Sequence, residues 1–204
     1  MPYYKPSIKA VDFTAFKASL LDIPPGSVVL LQTAAHNPTG CDLASSQWAE
    51  LSEIFLARRH LAFLDSAYLG LVSGDVERDS RAVHCFEAAG VPLLLATTFG
   101  KSFGLYGERV GMLSVVAPSR ETKRRIESQM ILLARSETGC SPGFGARVVE
   151  EVLSSPELTT VWKADLKGVA EELQRRRRVL RDELSSLRTP GDWNFLTEQV
   201  GMFS

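Results

Sequence analysis

Four short runs of the chain are almost continuously apolar and rich in Val and Leu: SVVLLQT (27–33), LAFLDS (61–66), PLLLATT (92–98) and VGMLSVV (110–116). Such runs predict strands buried on both faces, as in a parallel sheet covered by helices. The segments between them carry a different period. In ASSQWAELSEIFLARRH, residues Trp48, Leu51, Ile54, Phe55 and Leu56 recur at helical spacing, with Ser45 or Ser46 placed to cap the start. In DSRAVHCFEAAG, Asp79 or Ser80 is placed to cap and Gly90 to stop the helix. The alternation of strand and helix predicts an α/β sheet with right-handed crossovers.

Beyond the fourth run the pattern becomes helical. Residues 119–136 and 142–154 read as two helices, separated by the breaker-rich GCSPGFG. From Pro156 to Leu187 apolar residues recur at 158, 161, 162, 166, 169, 173, 180, 184 and 187. That spacing predicts one long amphipathic helix, more suited to a spine joining two lobes than to a compact layer, and TPGDW ends it. The expected division is residues 1–154 as part of a large domain, and 155–204 as the connecting helix with the start of a smaller one. The run Arg175 to Arg178 reads as a solvated helical face.

Composition narrows the class. With 23 Lys plus Arg against 24 Asp plus Glu, the formal net charge of -1 lacks the basic excess that nucleic acid or an anionic membrane surface would favour. At 45% apolar and 23% charged, the chain carries enough apolar side chains for a real core rather than disorder. No apolar run approaches the roughly 18 residues of a membrane helix. No signal peptide or mitochondrial presequence is visible at the N-terminus. Cys41, Cys85 and Cys140 form neither a C-x-x-C pair nor an even set, which points to a reducing compartment, the cytoplasm or the mitochondrion. No His or Cys spacing suits a metal, and no G-x-S-x-G elbow suits a serine hydrolase.

In open parallel sheets ligands bind beyond the carboxyl ends of the strands. After the first strand comes His36-Asn37-Pro38-Thr39-Gly40, the second ends in Asp65-Ser66-Ala67-Tyr68, and the third is followed by Thr98-Phe99-Gly100-Lys101-Ser102. Three strand ends thus offer an amide, a carboxylate with a phenol, and a lysine with a hydroxyl, all on one rim. Small residues around Lys101 suit an amine that must form an imine with an aldehyde, the anchoring mode of pyridoxal phosphate. Asp65 could keep the pyridine nitrogen protonated. Asn37 and Tyr68 could donate to the ring oxygen, and Thr98 with Arg109 could hold the phosphate. His36 reads as packing behind this motif, and His60 and His84 as structural.

The segments HNPTG (36–40), FLDSAYLGLVSGD (63–75) and FGKSFGLYGERVG (99–111) closely resemble signature segments of class I, fold-type I aminotransferases, the aspartate aminotransferase branch in particular. The resemblance runs from YYKP near the start to WNFLTEQVGMFS at the end. It implies that Lys101 is the Schiff-base lysine and proton shuttle, Asp65 the pyridinium partner, Asn37 and Tyr68 the ring-oxygen donors, and Thr98 and Arg109 phosphate ligands. It further implies a homodimer in which Arg135 reaches across to the substrate's side-chain carboxylate. The run Thr138-Gly139-Cys140-Ser141-Pro142 departs from the aromatic residue and Ser-Asn-Pro-Pro usual after that arginine. The implied reaction moves an amino group between an amino acid, aspartate or a relative, and a 2-oxo acid such as 2-oxoglutarate. Members of the family are about twice as long, with a glycine-rich phosphate turn upstream and an α-carboxylate arginine downstream. The 204 residues alone are therefore expected to be a poor catalyst and an unstable monomer, or else a non-catalytic interaction subunit.

Overall fold

The computed structural model describes residues 1–201; Met202 to Ser204, the end of WNFLTEQVGMFS and of the expected second division, lie outside the described residues. A short antiparallel hairpin of β1 (Tyr4–Lys5) and β2 (Ala10–Val11) leads into α1 (Phe13–Asp22), whose first turn is capped by the Asp12 carboxylate accepting the Ala15 N–H. There follow β3 (Val28–Gln32), α2 (Ser45–Arg58), β4 (Leu61–Ser66), α3 (Val76–Asp79), α4 (Arg81–Ala88), β5 (Leu93–Thr98) and β6 (Gly111–Val115). The sheet has the order β3-β4-β5-β6, with the first three strands parallel and β6 antiparallel to β5. Helices α5 (Arg120–Glu137), α6 (Phe144–Ser154), α7 (Pro156–Ser186) and α8 (Phe195–Glu198) complete the described chain. The three long helical stretches read from the sequence are therefore present.

The core lies on one face of the sheet. Val29, Leu31, Ala62, Leu64 and Leu93 point from the strands into a layer made by Phe16 and Leu20 of α1, Trp48, Leu51 and Phe55 of α2, and Phe86 of α4. Each fully buried Val, Leu or Phe side chain among them contributes about 1.5–3 kcal/mol of transfer free energy. The expectation of strands buried on both faces is corrected here. The helices that cross between the parallel strands pack on the same side, so strand alternation leaves the other side chains on an open face, where Val28 and Leu30 are about 60% exposed. Continuous apolar sequence did not mean two covered faces.

The capping expectations are corrected too. Ala44, not a serine, occupies the position before α2, and Gln47 accepts its N–H at 2.8 Å while Ser45 receives Arg81 instead. Ser80 precedes α4, but its hydroxyl turns back to Val76 O at 2.7 Å and caps nothing. Asp79 is a buried loop anchor, described below. Gly90 does end its helix, at φ 74°.

Helix α7 buries only Leu166 and Ala170 among its residues and leaves Leu158, Val161, Val169, Val179 and Leu180 exposed, as is Leu187 just beyond its end. Helix α5 buries none, with Ile131, Leu132 and Leu133 open to solvent. Within the arginine run, Arg175 and Arg176 do sit on the surface with Glu172. Arg177 departs from the solvated-face reading: it is partly buried and donates to the carbonyls of Leu196, Gln199 and Gly201. No helix among the described residues is long and apolar enough to cross a membrane.

Candidate active site

Because β3, β4 and β5 are parallel, their carboxyl ends and the loops that leave them share one edge. The register places Gln32, Asp65, Ala96 and Leu113 on one rung of the open face, and Thr98 lies two residues further along β5. Asp65 therefore looks away from the core, half-buried, with no donor bonding its carboxylate among the described residues. Burial raises the Asp65 carboxyl above its ordinary value, and the positive charge of Lys101 pulls it part of the way back. A carboxylate held near a cation without a hydrogen bond is poised to accept one.

The lysine arrives on the loop after β5. Its Nζ sits 5.1 Å from the centre of the Tyr68 ring, within cation–π range. Asn37 Nδ2 reaches the Tyr68 hydroxyl at 3.4 Å. Asn37, Asp65, Tyr68 and Lys101 thus come together from three strand ends. Thr98 is tied to the segment next to Arg109: its hydroxyl donates to Val110 O at 3.3 Å and accepts the Gly100 N–H at 3.2 Å, while Arg109 is exposed at φ 51°. Arg135 lies elsewhere, on the last turn of α5, exposed, with Nη1 4.0 Å from Cys140 Sγ.

Each loop has its own internal anchor. The Asp42 carboxylate accepts the Ala35 and His36 N–H groups at 2.7 and 2.8 Å, bending the loop that carries Asn37. Burial pushes the Asp42 carboxyl up, and those two N–H groups pull it back. Asp79, 7% exposed, accepts from the Gly70, Val72 and Ser73 N–H groups at 2.9, 3.2 and 3.4 Å, gathering the loop that follows Tyr68. Gly70 itself has φ +80°, where any side chain is strained, and a Cβ there would lie 2.7 Å from Leu166 Cδ1 of α7, which would have to move aside. The lysine loop is held by aromatics. Phe99 meets Phe103 edge-on, and Phe103 stacks on Trp162 of α7 at 4.6 Å, whose indole N–H donates to Ser102 O at 2.8 Å.

Gln32, Asp42, Asp79 and Trp162 were missed by sequence reasoning. Asp79 ends α3, beyond the Gly- and Ser-containing loop 70–74 that it anchors, and its sequence position beside Ser80 suits a helix cap equally well. Replacing Asp79 by alanine leaves three backbone donors without their acceptor, at about 1–3 kcal/mol for a buried group. Thermal denaturation should show a melting point lower by several degrees, and an unchanged melting point would remove Asp79 from this role.

The histidines behave as packing residues. His36 stacks on Tyr3 with ring centres 4.0 Å apart and its Nδ1 is 2.8 Å from Thr39 Oγ1. His60 is fully buried with Nε2 3.1 Å from Leu20 O, and His84 lies 3.3 Å from Glu77. Burial holds the His36 imidazole below its ordinary 6.5. Its folded-state value is depressed, so the unfolded chain binds the proton more readily, and the contribution present above 6.5 is lost as pH falls below it. Denaturant titrations at pH 7 and pH 5.5 should show a stability loss that shrinks in His36→Phe, which keeps the stack on Tyr3. An identical loss in both proteins would contradict it.

With this geometry in hand, the comparisons are specific. The family described as aminotransferase class I and II matches residues 1–204. The cytoplasmic aspartate aminotransferase of Schizosaccharomyces pombe is 39% identical over 203 residues, covering 100% of this chain and 50% of the relative. The mitochondrial enzyme of the same organism is 39% identical over 202 residues, covering 98% and 46%. Among solved structures, the broad specificity aminotransferase from Leishmania mexicana superposes with a TM-score of 0.96 at 41% identity, covering 98% of this chain and 50% of that one. The aromatic-amino-acid aminotransferase from Burkholderia pseudomallei, covalently bound to pyridoxal phosphate, gives 0.96 at 37% identity, covering 98% and 50%. The chain spans about half the length of the curated relatives it matches. A sheet of this order, strand ends furnished in this way and a family match along the whole chain lead to one conclusion: the chain belongs to the class I and II aminotransferases.

Proposed function

We propose that the chain works in a pyridoxal-phosphate-dependent aminotransferase, moving an amino group between aspartate or a related amino acid and a 2-oxo acid such as 2-oxoglutarate. The observation that carries this reading is Asp65, a half-buried carboxylate without a hydrogen-bond donor among the described residues, facing the same open rim as the Lys101 amine and the Asn37–Tyr68 pair. That donor set fits the cofactor: an amine for its aldehyde, an anion for its ring nitrogen, and an amide with a phenol for its ring oxygen. Pyridoxal phosphate, when bound, supplies an electron sink for charge developing at the substrate's α-carbon.

The protein's part follows from position. The Asp65 carboxylate holds a proton on the ring nitrogen. The Lys101 Nζ would anchor the cofactor through its aldehyde and, as a free amine, would take the substrate's α-proton and return it. Tyr68 and Asn37 orient the ring from one side. Thr98 and Arg109 hold the phosphate, which requires the Thr98 hydroxyl to exchange its bond to Val110 O for a phosphate oxygen. Arg135 would act on a side-chain carboxylate across a homodimer. The exposed Ile131, Leu132 and Leu133 on the same helix support a partner at that surface. Cytoplasmic residence belongs to the same reading, supported by three free cysteines, while cytoplasmic and mitochondrial relatives both match.

The test is an absorbance spectrum of the chain titrated with pyridoxal phosphate. A saturable band at longer wavelength than the free aldehyde is expected, and a simple sum of the two separate spectra would refute the reading.

A further inference from the structure

The loop that carries Asn37 is anchored by Asp42 on its near side, at Ala35 and His36, and by the Gly40 N–H to His36 O on its far side. The Asn37 peptide itself has a different partner. Gln32 Oε1 accepts the Asn37 N–H at 2.7 Å, and Gln32 Nε2 donates to Asn37 O at 3.0 Å. One side-chain amide thus occupies both the donor and the acceptor of one exposed residue. Two bonds to one peptide fix its orientation as well as its position, and with it the direction in which the Asn37 carboxamide leaves the backbone.

Gln32 is also the strand residue paired with Asp65 in the β3–β4 register, so it stands beside that carboxylate on the open face. A lysine or arginine there would pair with Asp65 and take the place of a ring-nitrogen proton. A glutamine whose amide is already committed to Asn37 leaves Asp65 unclaimed, as it is among the described residues. From this we infer that Gln32 is a positioning residue for the site: it aims Asn37 at the Tyr68 hydroxyl and at the ring oxygen between them, and keeps the neighbour of Asp65 neutral. The inference rests on the proposed cofactor reading, because Asn37 acts only where a ring oxygen is bound.

Gln32→Met keeps length and removes both bonds. In the chain loaded with pyridoxal phosphate, losing a ring-oxygen donor favours the protonated chromophore. The midpoint of its absorbance titration should therefore rise by about one pH unit, as expected for one lost hydrogen bond, and cofactor affinity should fall about 10-fold. A residue that only stabilises the fold would not move that midpoint. Asn37→Ala should raise it by as much, and the double variant no further, since Gln32 acts through Asn37. An unchanged midpoint in Gln32→Met, or additive shifts in the double variant, would overturn the inference while leaving the cofactor reading intact. Absence of any borohydride-reducible link between wild-type Lys101 and the cofactor would overturn both. Hydrogen exchange on the wild-type chain gives a reading independent of variant folding: protection of the Asn37 amide like that of its strand neighbours is expected, and the fast exchange of a free loop amide would contradict it.

Discussion

On the proposed reading, Lys101→Ala in the assembled, active enzyme is expected to lower transamination of aspartate with 2-oxoglutarate by at least about 10^4-fold, since one side chain would supply both the covalent anchor and the proton transfer. Lys123→Ala, on the exposed, highly charged α5, should leave the rate near that of the wild type. The contrast follows from placement: Lys101 stands at a strand end within reach of Tyr68 and the Asp65 charge, on a loop pinned by the Phe99–Phe103–Trp162 stack. Lys123 lies at a helix start beyond β6. A Lys101→Ala protein with more than a few per cent of wild-type turnover would place the chemistry on another amine.

Asp65→Asn should cost about 10^2-fold or more in turnover while sparing the covalent link to the cofactor, because the variant removes charge and little volume. Among the described residues no competing donor bonds the wild-type carboxylate, so on the proposed reading its charge is available to the ring nitrogen. An amide in its place cannot hold that nitrogen protonated, and the electron sink weakens. Near-normal turnover in the variant, with cofactor bound, would show that Asp65 does not play this part. The two variants separate the roles: Lys101→Ala loses the link and the rate, Asp65→Asn the rate alone.

Much of this site was legible before any coordinates. Short Val- and Leu-rich runs marked the four sheet strands, because a strand in a parallel sheet has few polar positions to break its apolar run. Their carboxyl ends brought Asn37, Asp65, Tyr68 and Lys101 together by topology alone. The open second face was illegible because Val28 and Leu30 read the same whether a helix covers them or not. The caps failed for a local reason. Asp79 and Ser80 stand two residues and one residue before the start of α4, yet the three N–H groups at 70, 72 and 73 outcompete the helix end for the Asp79 carboxylate. The β1–β2 hairpin, α3 and α8 are two to four residues long, too short for a period to register. Gln32 looked like the polar end of an apolar strand, and its meaning emerged only from the two bonds it makes to Asn37.

The central claim is that the rim formed by the ends of β3, β4 and β5 is a cofactor cradle centred on one amine. The direct measurement is to incubate the wild-type chain with pyridoxal phosphate, reduce with borohydride, digest, and locate the modified lysine by mass spectrometry. The account predicts a single dominant adduct on Lys101. An adduct distributed over the surface lysines, or concentrated on any other lysine, would contradict it.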